Sequence, residues 1–141
     1  MNNKYKNLKK RSNKQNSKVI GLISRFLNGE EIKFDLNILD FQNCSKFQKR
    51  VLIVESMIPR GKVNTYKLLA QNIGSPNASR AVGNALAKNP FPIIIPCHRV
   101  IKSNFQIGNY QGGSVMKRKL LESEGVQFKE NDMVDPKHLW A

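Results

Sequence analysis

The sequence predicts an α/β fold, in which a small N-terminal layer precedes a larger and mostly helical domain. We expect that domain to contain a winged-helix-like helix-turn-helix and a short hairpin at Cys97. Apolar residues recur at helical spacing in segments 19–26 and 47–58, which indicates two amphipathic helices. The alternating apolar residues of segment 34–38 and the β-branched run 93–95 are instead typical of strands. Because both patterns occur along one chain, we expect helices and short strands to share a core.

Composition favours a polyanionic partner. The 141 residues include 24 Lys and Arg against 10 Asp and Glu, which gives a net charge of +14. Such a basic chain is typical of nucleic-acid binding, with an anionic membrane surface as the second choice. No apolar run approaches the roughly 18 residues of a membrane span, and the N-terminus lacks the apolar segment of a signal peptide. We therefore expect a soluble, cytoplasmic protein with no membrane partner.

The two cysteines, Cys44 and Cys97, form neither a disulfide framework nor a metal-ligand spacing. This usage agrees with a reducing compartment. Cys44 is interpreted as structural, and no metal is predicted.

Residues 1–18 are predicted to be a basic, disordered tail. They hold seven Lys or Arg and no acid, with Asn and Ser in most of the gaps, so they cannot bury enough apolar surface to offset the entropy of ordering. The charges either face solvent or make non-specific contacts with phosphates.

Residues 19–44 are predicted to form a reduced N-terminal layer of three strands or fewer. A helix begins near Val19 and ends near Gly29, and segment 34–38 follows as a strand. Ser45 is a possible N-cap for the next helix, which should stop at the Pro-Arg-Gly sequence 59–61. The main domain is therefore placed at residues 45–128, with 129–141 as a polar C-terminal tail.

Two short helices joined by a tight turn are predicted next. Thr65 caps a helix that ends at Gly74, and Ser75 followed by Pro76 opens a second helix that runs to Lys88. This arrangement is typical of a helix-turn-helix. One face of the second helix is made of small residues, which either pack closely on another helix or press into a nucleic-acid groove: Ala78, Ser79, Ala81, Gly83 and Ala85. Arg80 projects from that face and could enter a base stack or hold a phosphate.

Cys97 is the candidate nucleophile. Pro96 cannot donate to a sheet ladder, so the strand that begins at Ile93 must end or bend at the thiol. His98 and Arg99 would raise the local positive potential and favour the thiolate. Neighbouring strand residues point to opposite faces, so a water is the expected link between Cys97 and His98. The alternative is an inert, buried cysteine that only packs.

A glycine-rich loop, 108–113, and a final helix complete the main domain. The loop matches neither a Walker nor a dinucleotide motif, but it can bring backbone N–H groups close to a flat ligand. Ser114 is predicted to cap the helix, with Val115, Leu120 and Leu121 facing the core. Glu124 lies near the helix C-terminus, where a carboxylate opposes the dipole, so we expect it to have a cationic or imidazole partner.

Four ordered motifs resemble the O6-alkylguanine-DNA alkyltransferases. They are Ser-Arg-Ala-Val-Gly at 79–83 ahead of Asn-Pro at 89–90, Pro-Cys-His-Arg-Val at 96–100, Gly-Asn-Tyr-x-Gly-Gly at 108–113 and Leu-Leu-Glu-Ser-Glu-Gly at 120–125. The resemblance covers about residues 45–126. It implies stoichiometric, irreversible transfer of an alkyl group from O6-alkylguanine, and as a further substrate O4-alkylthymine, to a cysteine of the protein.

Carried over residue by residue, the resemblance implies a chemical role for five side chains. Cys97 would accept the alkyl group, His98 would act through water as its base, and Glu124 would orient the imidazole. Tyr66 would give a proton to the leaving guanine, and Asn89 would hold the thiol network. No cofactor is implied.

The resemblance also implies binding of double-stranded DNA through the minor groove, with the damaged base flipped out and an arginine finger in its place. Arg80 would be that finger. The residues expected at DNA are Tyr66, Ser75, Ala78, Ser79, Arg80, Ala81, Gly83 and Ser103. Those expected in the base pocket are Pro92, Val100, Tyr110, Gln111 and Gly112. We expect a monomer, with cooperative binding along DNA left open.

The chain departs from the family at three places. Gln111 stands where many relatives have Ser, which changes contacts to the alkyl group or the stiffness of the loop. The N-terminal layer is shorter than usual, and the zinc ligands of some relatives have no counterpart, so no metal is expected.

Two other functions remain as alternatives. The first is an alkyltransferase-like protein that binds the lesion without repair; such relatives replace the cysteine, so Cys97 argues against it. The second is a basic helix-turn-helix regulator with a structural cysteine, which leaves the motif at 96–100 and the loop at 108–113 unexplained.

Overall fold

The computed structural model describes residues 13–140, and the chain divides into two compact units, Met1–Cys44 and Ser45–Ala141. Five α-helices and two small sheets lie within the described residues, which makes the structure mixed α/β, as predicted. None of its helices has the length and apolar character needed to cross a membrane.

The described part of the first unit contains one long helix, α1 (Asn13–Leu27). Its less exposed positions are the predicted ones, Val19, Leu22, Ile23 and Phe26. The helix begins within the segment predicted as a disordered tail, and the rest of that segment, residues 1–12, lies outside the described residues.

The strand predicted at 34–38 is wrong. Residues Leu36–Ile38 form a 3₁₀ turn instead, because the side chain of Asp35 accepts a hydrogen bond from the Asn37 N–H at 2.9 Å. An aspartate that caps the backbone two residues ahead competes with an extended conformation. The described part of this unit therefore contains no strand.

Three helices begin the second unit: α2 (Lys46–Glu55), α3 (Tyr66–Asn72) and α4 (Ser79–Ala87). The predicted caps of the first two are confirmed, since Ser45 Oγ accepts from Gln48 N at 3.0 Å and Thr65 Oγ1 from Leu68 N at 3.1 Å. The predicted start of α4 at Ser75 is wrong. Ser75 O accepts from Ala78 N at 2.9 Å in a turn, so the helix begins only at Ser79.

The strand and hairpin predicted around the cysteine are also wrong. Ile93 has a φ of +74°, which breaks the run 93–95, and Cys97–Arg99 form a 3₁₀ turn. The strand comes after the cysteine: β2 (Val100–Ile101) pairs in parallel with β1 (Asn64–Thr65). The short parallel pair sets the turn at Cys97–Arg99 beside the start of α3.

The fifth helix, α5 (Ser114–Ser123), begins after Gly113, and Ser114 is its first residue rather than its cap. Leu120 and Leu121 are buried as predicted, whereas Val115 is 70% exposed, contrary to prediction. Lys117 takes a core position instead, because it shares the i, i+3, i+4 face with the two leucines.

The segment predicted as a polar C-terminal tail, 129–141, contains regular structure. An antiparallel pair is formed by β3 (Phe128–Lys129) and β4 (Met133–Val134), and the chain then passes beside Val63. Val63 N donates to His138 O at 3.0 Å, and Val63 O accepts from Trp140 N at 2.8 Å. The core cluster at this point consists of Val63, Ile101, Leu121, Val126 and Val134.

Candidate active site

Cys97 lies at one wall of a cleft of about 950 Å³ in the second unit. The side of the cleft formed by Cys97 and the buried groups behind it, His98, Arg99 and Glu124, is called the thiol wall here. The opposite side, formed by the exposed face of α4, is called the helix wall. Only 6% of Cys97 is exposed, so a reactant must enter the cleft to reach the sulfur.

The thiol wall contains a buried ion cluster. Glu124 Oε1 lies 2.5 Å from His98 Nε2, and Arg99 Nε lies 3.1 and 2.9 Å from the two oxygens of the same carboxylate. Arg99 Nη2 also donates to Glu124, and its Nη1 donates to the carbonyl of Ile58 at 2.7 Å. The partner expected for Glu124 is therefore present, and Arg99 joins it.

These contacts set the proton positions. Burial alone would raise the pKa of Glu124, but the hydrogen bonds from His98 and Arg99 outweigh it, and the net shift is downward. Burial lowers the pKa of His98, against the pull of Glu124, so the ring is neutral at neutral pH. An ionised carboxylate can only accept, so His98 Nε2 carries the proton and Nδ1 carries the lone pair. The ring is thus held as a base.

Asn89 shapes the loop that leads to the cysteine. Its Oδ1 accepts from Phe91 N at 2.8 Å, and its Nδ2 donates to Ile95 O at 3.0 Å. The amide therefore links both ends of the proline-rich loop that precedes Cys97. Burial raises the pKa of Cys97, and the same side chain opposes part of that rise by hydrogen bonding.

The resting thiol is protonated. Burial raises the pKa of Cys97 to about 11, Glu55 adds to the rise, and Asn89 and Lys117 oppose it. A thiol at this pKa is a weak nucleophile at neutral pH, so transfer needs proton removal during the reaction.

Tyr66 stands at the start of α3, between the two walls. Burial, together with nearby Cys97 and Glu55, raises the pKa of its phenol, so the hydroxyl keeps its proton at neutral pH. A Cβ at Gly108 would lie 3.5 Å from Tyr66 Oη, and one at Gly83 would lie 3.9 Å from the ring. Both distances are ordinary van der Waals contacts, so these two glycines pack beside the phenol.

The helix wall carries three of the residues expected at DNA: Ser79, Arg80 and Gly83. Arg80 is exposed at the cleft edge, as a finger requires. Ser103 also lines the cleft. The other expected residues, Ser75, Ala78 and Ala81, lie outside the lining. Lysines absent from the expected set also line it, at positions 67 and 102.

The glycine-rich loop lines the cleft next to the C-terminal end of α4. Gln111 Nε2 donates to Ala87 O at 2.6 Å and to Asn89 O at 3.2 Å, which fastens the loop to the C-terminal end of α4. Tyr110 also lines the cleft, and its ring centre lies 6.5 Å from that of His98.

The other three residues expected in the base pocket lie elsewhere. Val100 is fully buried in β2, Pro92 is exposed outside the cleft lining, and Gly112 is packed against Met116.

Two charged residues near the thiol were not predicted. Glu55 and Lys117 are both fully buried. Each occupies a position on the apolar stripe of its helix. That spacing was the sequence signal that could have indicated their burial. Within residues 13–140, no group of three or more His, Cys, Asp or Glu is arranged to hold a metal ion.

The family model described as "6-O-methylguanine DNA methyltransferase, DNA binding domain" matches residues 46–126. A curated relative from Methanothermobacter thermautotrophicus, methylated-DNA--protein-cysteine methyltransferase, is 48% identical over 112 residues. That match covers 79% of this chain and 62% of the relative. The chain thus spans about three fifths of the length of that relative.

Solved structures of DNA-bound proteins are also similar to this chain. The structure of Mycobacterium tuberculosis OGT in complex with DNA is similar with a TM-score of 0.72 and 41% identity, over 77% of this chain and 66% of that one. The structure of S. pombe Atl1 with damaged DNA containing O6-carboxymethylguanine is similar with a TM-score of 0.59 and 30% identity. The latter match covers 68% of this chain and 95% of that one.

Proposed function

The chain belongs to the 6-O-methylguanine DNA methyltransferase family, and from this premise we propose that it repairs O6-alkylguanine in double-stranded DNA by moving the alkyl group to its own Cys97. The observation that carries the proposal is the joint presence of Cys97 at the cleft and a hydrogen-bonded His98–Glu124 pair behind it. A cysteine that only packs has no need of an oriented base.

The reaction balances with the groups present. His98, through a water, takes the proton of the thiol, and the sulfur attacks the alkyl carbon. The new S–C bond forms as the C–O6 bond breaks, and the electron pair leaves with guanine, which Tyr66 protonates. The proton taken by His98 then returns to the Tyr66 phenolate through water, so both side chains recover their starting states. Because the thioether has no easy second step, each protein acts once.

The helix wall supports binding of the duplex. Helices α3 and α4 with the turn between them would act as the helix-turn-helix, and the short sheet β3–β4 is the element available as a wing. The exposed face of α4 is small enough to approach the minor groove, where bulky side chains would hold the backbone away. Arg80 would occupy the place of the flipped nucleotide, which offsets part of the lost stacking.

We further propose that the protein acts as a monomer in the cytoplasm. Neither of its cysteines forms a disulfide within residues 13–140, as is typical of a reducing compartment. O4-alkylthymine is proposed as a second substrate of the same chemistry, since the carbon to be moved is again bound to an exocyclic oxygen of a nucleobase.

Intact-mass measurement with peptide mapping tests the proposal. The full chain is mixed with duplex DNA that carries one O6-methylguanine, and we expect one methyl group on Cys97, with saturation at one per protein. Cys97→Ala should bind the lesion and gain no mass. Lesion binding without methyl gain in the parent protein would instead indicate a lesion-binding protein. If the parent protein shows neither methyl gain nor preference for the lesion, a DNA-binding regulator is favoured.

A further inference from the structure

Gln111 joins two sides of the cleft that contains Cys97. Its Nε2 donates to the carbonyl of Ala87, the last residue of α4, at 2.6 Å and to the carbonyl of Asn89 at 3.2 Å. These two hydrogen bonds are called the tether here. Residues of the glycine-rich loop and of α4 both line the cleft, so the tether connects two of its edges directly.

The loop is held independently on its other side. Lys117 Nζ, from α5, donates to Asn109 O at 3.2 Å. Gly113 N donates to Tyr110 O at 3.0 Å, which closes a turn with Gln111 in its middle. The base of the loop is therefore anchored to α5, and the tether holds the tip of the turn to α4.

The same end of α4 is held by a second glutamine. Gln48 Nε2, from α2, donates to Ala85 O and to Lys88 O, both at 3.2 Å. The last carbonyl groups of a helix lack donors within the helix, so both glutamines supply what the helix end needs. In each pair one hydrogen bond is exposed and the other is partly buried. Gln48 thus matches Gln111 in chemistry, but its bonds run to α2 instead of the loop.

The tether bears on which groups can reach the sulfur. Only 6% of Cys97 is exposed, and Tyr110, next to Gln111 in the chain, lines the cleft with it. A group larger than the space beside the sulfur enters only if the loop moves away from α4. That movement breaks the tether, so the tether disfavours bulky groups more than small ones.

We propose that Gln111 is a positioning residue that limits the size of the alkyl group accepted by the site. While the tether holds the loop against α4, a methyl group enters the closed cleft, whereas a benzyl group has to open it. The inference rests on the proposed function, since it concerns the group that Cys97 receives. It assigns to Gln111 the stiffness of the loop, not a direct contact with the alkyl group.

Transfer rates for a small and a bulky group test this. Single-turnover rates are measured with one duplex sequence that carries either O6-methylguanine or O6-benzylguanine, and the benzyl-to-methyl ratio is compared between variants. Gln111→Ala should raise the ratio by about threefold to tenfold, since one neutral hydrogen bond contributes roughly that factor to an equilibrium. Because both substrates share the duplex, the ratio cancels changes in affinity for undamaged DNA.

Two further variants separate the tether from other roles of the side chain. Gln111→Glu keeps the length but replaces the donating Nε2 by an acceptor, so it should raise the ratio as Gln111→Ala does. Gln48→Ala removes the other pair of hydrogen bonds from the end of α4 and should leave the ratio at the parent value.

Three results would overturn the proposal. A ratio in Gln111→Ala equal to or below that of the parent protein would exclude a size limit set by this residue. A parent-like ratio in Gln111→Glu would indicate direct contact with the alkyl group. An equal rise in Gln48→Ala would indicate that only the stability of the helix end matters.

A measurement without DNA keeps this outcome apart from that of the proposed function. In a Cys44→Ser background, the sulfur of Cys97 displaces iodide from iodoacetamide or from its N-benzyl derivative, and the thiol proton passes to solvent. Gln111→Ala should raise the rate with the N-benzyl reagent relative to the smaller one. If the parent protein takes no methyl group from O6-methylguanine, repair is refuted, and this ratio alone decides the role of Gln111; an unchanged ratio would then reject it.

Discussion

The two walls of the cleft differ most in how far water reaches them. On the thiol wall, Glu124 and His98 have fully buried side chains that are hydrogen-bonded to each other. On the helix wall, Arg80 is exposed and α4 offers small residues to the cleft. Under the proposed function, the thiol wall excludes water from the reacting sulfur, whereas the helix wall leaves charge and space at the surface for a duplex.

If this contrast holds, a substitution in the thiol wall changes stability and reaction together, and one in the helix wall changes only the reaction with DNA. The predictions below test this division.

The largest effect is expected for Glu124→Gln. The change leaves the guanidinium of Arg99 buried without its carboxylate, which typically costs about 3–5 kcal/mol in the free energy of unfolding. It also frees the His98 ring from its fixed tautomer, so methyl transfer should slow as well. Urea denaturation measures the change in stability, and single-turnover transfer measures the change in rate. The control Glu122→Gln removes an exposed ion pair with Arg118 and should cost less than about 1 kcal/mol.

The pH dependence of the same pair gives a second check. Because the pKa of Glu124 is lowered in the folded state, its contribution to stability is fully present above the ordinary carboxyl range and is lost as the pH falls through the folded value. The stability difference between the parent protein and Glu124→Gln should therefore shrink in acid. A difference that is constant down to strongly acidic pH would contradict the assignment.

A smaller and more selective effect is expected for Arg80→Ala. Its side chain is exposed, so stability should be unchanged, but repair of duplex DNA should slow by about ten- to a hundredfold, since flipping a base costs a few kcal/mol in lost stacking. Repair of free O6-benzylguanine should be unaffected. Lys88→Ala, which removes an exposed cation just after α4 and outside the cleft, is the matched control. Equal slowing with free base would contradict the finger role.

The smallest effect is expected from removal of residues 1–12. This segment carries five cations, and the slope of log affinity against log salt should become shallower by about 0.9 for each phosphate that they neutralise in the parent protein. Repair at low salt should be nearly unchanged. Replacement of the five cations by Gln keeps the length and separates charge from chain. An unchanged slope in both variants would show that the segment does not bind DNA.

The sequence predicted those parts of the site that depend on local chemistry. The side-chain caps at Ser45 and Thr65 follow from hydrogen bonds within three residues. The need of Glu124 for a partner followed from its place at a helix end, and the structure supplies His98 and Arg99. The family resemblance is likewise shown by the relatives of the chain.

What could not be predicted depends on contacts that are distant in sequence. Glu55 and Lys117 were missed because apolar periodicity assigns charged residues to the surface, whereas the carbonyl groups that hold Lys117 come from β2 and the glycine-rich loop. Tertiary contacts override the local preference at these two residues. The run 93–95 fails for a local reason: it has strand composition, but the side chain of Asn89, within six residues, holds the loop in a turn.

The hydrogen bonds between Val63 and the segment 138–140 bear on how the protein is made. Val63 directly precedes β1, which carries the start of α3 and pairs with the strand after Cys97. During translation, Trp140 follows Cys97 by roughly two to nine seconds at about 5–20 residues per second. In that interval Val63 lacks the two hydrogen bonds that the segment 138–140 supplies. The strand pair beside Cys97 therefore gains this support last, after every residue that lines the cleft has been synthesised.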